Sequence, residues 1–190
     1  SIAMWRAARR TSRPTFSARE LADYRTTSGV DAVAELHTMW FILLPPRGHQ
    51  AERPPERVST GVVSANYFDV LGVTTQYGRT FAPGEDRPGS NHVVVLSHRI
   101  WASRFGSDPG LVGHTIQLDA EPHTVIGVMP ADGPFDRTFI EVWVPIVFDA
   151  ERMNRASHWL LSISGGALGR LKPGVTVDRA RAELTAAARQ

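Results

Sequence analysis

Cysteine is absent from this 190-residue chain, and lysine nearly so: Lys172 stands alone beside 20 arginines. The first absence excludes disulfides, thiolate catalysis, iron–sulfur clusters and cysteine zinc sites together. The second bears on nucleotide chemistry, since Gly166 and Gly169 are not followed by the Gly-Lys-Ser/Thr of a phosphate-binding loop. Long apolar runs are missing too. The longest, Met39 to Leu44, is far short of the ~18 residues that cross a bilayer. The chain as given is therefore expected to hold no membrane-spanning helix, and its first residues carry no signal-peptide pattern.

What is there reads as globular: 42% hydrophobic and 21% charged residues suit one domain, or two small subdomains sharing a core. The formal charge of +2 hides an asymmetry. Residues 1–19 hold five arginines and no acid, leaving 16 bases against 19 acids in the remainder. A folded nucleic-acid binder carries its excess along its body; here it sits on a tail, so no nucleic-acid partner is expected. Residues 1–14 read as an N-terminal arm or an expression remnant, with Ser1 to Met4 ahead of an internal start.

Local patterns place the elements. Ser17-Ala18-Arg19-Glu20 is a capping box for a helix near residues 17–28, with Gly29 as its stop. A strand is expected from Val33 to Leu44, closed by Pro45-Pro46, and another from Arg57 to Ser64, after which Ser64 caps a short helix ending at Gly72. His92 to Leu96 reads as a buried strand, and Ser97 caps a helix holding Ile100, Trp101 and Phe105. Leu111 to Leu118 and His123 to Met129 suit a hairpin around Asp119-Ala120-Glu121-Pro122. Ile140 to Val147 is a strand broken by Pro145, and Trp159 to Leu171 one broken at Gly165-Gly166. Thr176 caps a last helix with Val177, Ala180, Leu184 and Ala187 on one face.

Motifs that carry chemistry are missing. Ser164, in Ser162-Ile163-Ser164-Gly165-Gly166, lacks the glycine that a nucleophile elbow needs at position 162. No HExxH or EF-hand pattern occurs. Among seven histidines, His114 and His123 are the best pair, diagonal across the expected hairpin or further apart, but two histidines without a third ligand make a poor metal site. Glu85-Asp86 reads as solvated charge in a Gly- and Pro-rich loop, and Asp132 and Asp136 flank a Gly-Pro-Phe loop of no known motif. Trp101, Phe105, Trp143 and Trp159 read as core, whereas neighbours Trp40 and Phe41 point to opposite faces of a strand. No catalytic, cofactor-binding or metal residue is assigned, and no cofactor is expected.

An ordered series of blocks resembles a known family. Val63-Ser64-Ala65-Asn66-Tyr67-Phe68-Asp69-Val70-Leu71-Gly72-Val73 with Gly78-Arg79-Thr80-Phe81 is followed by Val93 to Ser97, Trp101 and Phe105 to Pro109. Then come Val112 to Ile116, Pro122 to Pro130, Val142-Trp143-Val144-Pro145 and Gly169 to Thr176. Together, from about Phe16 to the C-terminus, they are similar to the periplasmic core domain of MacB-type ABC transporter permeases, especially large permeases in which the module can occur twice. One departure stands out: Asp119-Ala120 replaces the usual Asn-Gly or Asp-Gly, and alanine is costly at positive φ, which puts a two-residue I′ turn in question.

The resemblance implies an α+β fold: a mixed α/β porter-like subdomain (15–80 with 150–190) and a β-rich inserted subdomain (81–149). It implies a non-catalytic extracytoplasmic domain of an export permease that transmits conformational change and contacts partner or cargo. Its partners would be the membrane-embedded remainder of the permease, an ABC ATPase in a separate domain or chain, and a second copy of the domain or a periplasmic adaptor. The competing class is a free-standing extracytoplasmic ligand-binding protein or hydrolase. What flanks the chain separates the two, and a helix still running at Gln190 is expected of an excised segment.

Overall fold

The structure, a computed structural model, describes residues 2–5, 29–45, 54–132, 139–147 and 164–187. The helix expected near residues 17–28, together with Asp136 and Trp159, lies outside them. Among the described residues nine strands form one mixed sheet: β1 (Ile2–Trp5), β2 (Val30–Leu43), β3 (Glu56–Val63), β4 (Tyr77–Gly78), β5 (Val93–Leu96), β6 (Thr115–Leu118), β7 (Glu121–Val128), β8 (Val142–Pro145) and β9 (Ser164–Leu171). The described helices are α1 (Tyr67–Leu71), α2 (His98–Phe105) and α3 (Val177–Ala187). The order is β1-β9-β2-β3-β8-β5-β7-β4, with β6 bridging β2 and β7. The fold is α+β, and β3 joins β8 in parallel, so the sheet is continuous across both expected parts.

Strand alternation builds two cores from the same strands. Val95 and Trp143 face one side with Val63, Phe68, Phe81 and Met129; Val94, Leu96, Val142 and Val144 face the other with Val58, Ile100, Trp101 and Leu118. α1 covers the first face, burying Tyr67, Phe68 and Val70. Burial of its phenol pushes the Tyr67 pKa up to about 12. Arg170 of β9 reaches the end of α1, where its guanidinium donates to the carbonyls of Asp69, which also accepts the Gly72 N–H, and Val70, an acceptor the helix leaves open. α2 covers the second face with Ile100 and Trp101. As the sequence suggests, the Ser97 hydroxyl accepts the Ile100 N–H at 3.3 Å, and Gly106 ends the helix in the left-handed region. α3 is tied back to the start of β2, since the Gly29 N–H donates to Glu183 Oε2 at 2.9 Å.

Four local expectations are corrected. Ile2–Trp5, within the stretch read as an arm or remnant, form β1 and pair antiparallel with β9 from Ile2↔Arg170 to Trp5↔Ala167. β9 runs unbroken through Gly165 and Gly166, which pair with His37 and Leu36 of β2. Asn66, not Ser64, is the N-cap of α1, and the Ser64 hydroxyl instead accepts the Glu35 N–H at 2.9 Å. Asp119 and Ala120 do make the tight hairpin turn, at φ 51° and 64°. The compensation is lateral: the Asp119 N–H donates to the Ile42 carbonyl at 2.9 Å and the Ile42 N–H to Asp119 Oδ1 at 2.7 Å. Docking of the β6–β7 hairpin on the end of β2 thus offsets the strain that glycine would have spared.

Candidate functional site

The parallel pairing of β5 with β7 sets Val93 opposite Thr124, and the Thr124 N–H donates to the His92 carbonyl at 2.9 Å. This register brings His92 beside His123, their ring centroids 5.5 Å apart and the planes at 54°. Glu121 and His123, two apart on β7, lie on one face of the strand. A ring nitrogen from each histidine and a Glu121 carboxylate oxygen fall within 4.8 Å of one another. His123 is buried, Glu121 half-buried and His92 exposed, so the group opens to solvent at one end. His123 Nδ1 lies 3.1 Å from the Glu121 carbonyl, which can only accept, so Nδ1 donates and Nε2 keeps the lone pair. Burial holds the His123 imidazole below its ordinary pKa against the pull of that carbonyl, and the nearby His92 adds to the lowering.

The pair anticipated from the sequence is split differently. Ile116 faces His123 across the hairpin, so His114 stands diagonal to it, opposite Val125, but His114 is exposed and its N–H donates to the Leu111 carbonyl. His92 was missed: it is separated from His123 by a helix and a hairpin strand, and only the parallel register joins them.

The other singled-out residues are mostly structural. Glu85 is no solvated charge: it accepts from Arg79 at 2.9 and 2.6 Å and from the Ala82 N–H at 2.8 Å, closing its own loop. Asp86 accepts the Ala65 N–H at 3.3 Å. Asp132 is exposed. Trp143 and Trp101 are core, the latter donating its indole N–H to the Asp108 carbonyl at 2.8 Å, and Phe105 is half-buried. Ser164 opens β9 as an ordinary ladder residue opposite Thr38. Trp40 and Phe41 divide as strand neighbours must: Phe41 packs on the second core, while Trp40 is half exposed with the Arg57 guanidinium 4.5 Å over its ring.

Comparison with known proteins decides the family. The model of the MacB-like periplasmic core domain matches residues 2–187. This chain belongs to that family. Among curated relatives, the macrolide export ATP-binding/permease protein MacB of Salmonella paratyphi A is 30% identical over 130 residues, covering 67% of this chain and 19% of that protein. The Escherichia coli K12 protein of the same name is 32% identical over 129 residues with the same coverage. The chain thus spans about a fifth of the length of these relatives. In fold it is similar to the periplasmic region of MacB from Actinobacillus actinomycetemcomitans, with a TM-score of 0.70 at 19% identity over 97% of this chain and 77% of that one. It is also similar to the extracellular domain of the noncanonic ABC-type transporter YknZ from Gram-positive bacteria, with a TM-score of 0.62 at 18% identity over 88% and 78%. Among the described residues of the MacB-like domain, no helix is long and apolar enough to cross a membrane.

Proposed function

We propose that this MacB-like domain is the extracytoplasmic module of an ABC-type export permease, with no turnover of its own. It carries conformational change from the membrane-embedded remainder of the permease outward, and its partners include a second copy of the domain or a periplasmic adaptor. ATP hydrolysis belongs to a separate domain or chain. The observation that carries the reading is the family match over residues 2–187, joined to a fold shared with a MacB periplasmic region over 97% of the chain.

The packing supports a mechanical role. If residues 15–80 with 150–190 make a porter-like part and 81–149 a β-rich insertion, one sheet runs through described strands of both. Close-packed interiors transmit displacement instead of absorbing it. Ion pairs also brace the insertion against β3: Arg104 of α2 meets Glu56 at 2.7 Å, and Glu141, which meets Arg99 at 3.0 Å, accepts the Ser59 N–H at 2.9 Å.

The test is a disulfide lock in the full transporter, joining this domain to its neighbouring copy or partner. The chain has no cysteine of its own, so an introduced pair reacts cleanly within the domain. Transport is expected to stop when crosslinking is complete and to resume on reduction. Unchanged transport under a complete crosslink would contradict the reading.

A further inference from the structure

We propose that His92, Glu121 and His123 form a binding site for a late first-row divalent cation of the zinc class. The inference does not depend on the transport reading. The rigid part of the site is preset by the fold: two ligands stand two residues apart on β7, and the third is delivered by the parallel register of β5.

Four-coordinate zinc with ligands at ~2.1 Å separates them by about 3.4 Å. The present atoms lie within 4.8 Å of one another, so binding requires a contraction of roughly 1.4 Å at most. Exposed His92 and half-buried Glu121 are the side chains whose rotation would supply it. His123 would ligate through Nε2, the nitrogen that its bond to the Glu121 carbonyl leaves with a lone pair. Its Nδ1–H bond to the Glu121 carbonyl orients the ring in the way that the second nitrogen of metal-bound imidazoles is usually held.

The donor set selects the class of ion. Two imidazoles and one carboxylate suit zinc, nickel or copper, whereas calcium and magnesium demand oxygen ligands throughout. Three protein ligands with an open, solvent-facing side leave a fourth position for water or for a donor from a partner. Structurally, the ion would pin the end of the loop 82–92 to the hairpin, on the margin of the second core.

The experiment uses the full chain, purified without a histidine tag and stripped with EDTA, and titrated with zinc chloride under calorimetric and thermal-unfolding readouts. One equivalent of zinc is expected to bind. At a hundredfold excess over Kd the unfolding midpoint should rise by about 5–10 °C. His92→Ala, at an exposed position, and Glu121→Gln, which keeps the side-chain shape, should each remove most of that rise while the metal-free midpoint stays near that of the parent. His114→Ala, on the adjoining turn, should leave the rise intact. Absence of saturable binding, or a rise that survives in both His92→Ala and Glu121→Gln, would overturn the proposal.

Discussion

The two faces of the sheet use the same strands and solve the covering problem differently. The first face is built on aromatic rings: Phe68 lies 5.3 Å from Tyr67, 5.5 Å from Phe81 and 5.8 Å from Trp143 by ring centroid, two of these contacts edge-on. A five-residue helix is enough to cover it because each ring buries so much area. The second face is mainly aliphatic, with Val58, Val94, Leu96 and Val142 packed with the eight-residue α2 and with Leu118 and Val125 of the β6–β7 hairpin. Its load is distributed over many small side chains. One face thus depends on a keystone and the other on accumulated contacts.

The largest expected effect breaks the keystone. Phe68 is fully buried, and Phe68→Ala should destabilise the domain by about 3–5 kcal/mol, whereas Ile100→Val on the second face should cost about 0.5–1.5 kcal/mol. Denaturant unfolding of both variants measures the contrast, and equal losses would erase the distinction drawn between the faces. Next comes Gly61, where an added Cβ would stand 2.7 Å from Cδ1 of Trp143. Gly61→Ala should force the indole aside and cost about 1–3 kcal/mol, with a change in tryptophan fluorescence as its signature.

A smaller change acts in the favourable direction. Ala120 holds φ 64° in the hairpin turn beside the second face, so Ala120→Gly should stabilise by about 1 kcal/mol, read as a raised unfolding midpoint. The smallest effect is electrostatic. Burial alone would raise the Glu85 pKa, but its bonds from Arg79 and the Ala82 N–H and the Arg79 charge together lower it below its ordinary 4.5. A lowered folded-state value contributes stability above the ordinary pKa, and that contribution is lost as pH falls through the folded value. Because the Arg79 side chain is 52% exposed, the contribution should stay under about 1 kcal/mol. Glu85→Gln should therefore lower stability slightly at neutral pH and make no difference well below pH 4.5, as pH-dependent unfolding would show.

Elements with a complete local signal were legible in the sequence. β5 and α2 are examples, because a β-branched run, a Ser97 cap and a Gly106 stop all agree. β9 misled at Gly165-Gly166, since glycine weakens a strand pattern, while hydrogen bonding to β1 on one side and β2 on the other overrides the propensity. β1 carries no turn or cap and exists by its pairing with a strand more than 150 residues away. The His92–Glu121–His123 group was half legible: Glu121 and His123 are near neighbours, but His92 joins them only through the parallel β5–β7 register, which no local pattern encodes. The Ala120 turn failed for the same reason, as its anchor is the distant Ile42.

Movement of this domain as one rigid body within a transporter can be followed by distance measurements between spin labels in the full protein. Labels at exposed Asp69 on α1 and exposed Ser103 on α2 report on the two helices covering the two faces, and a label on Asp69 paired with one on the neighbouring copy or partner reports movement of the whole. The first distance should stay constant between the nucleotide-free and ATP-bound states while the second changes. A first distance that shifts with nucleotide, or a second that does not, would contradict it.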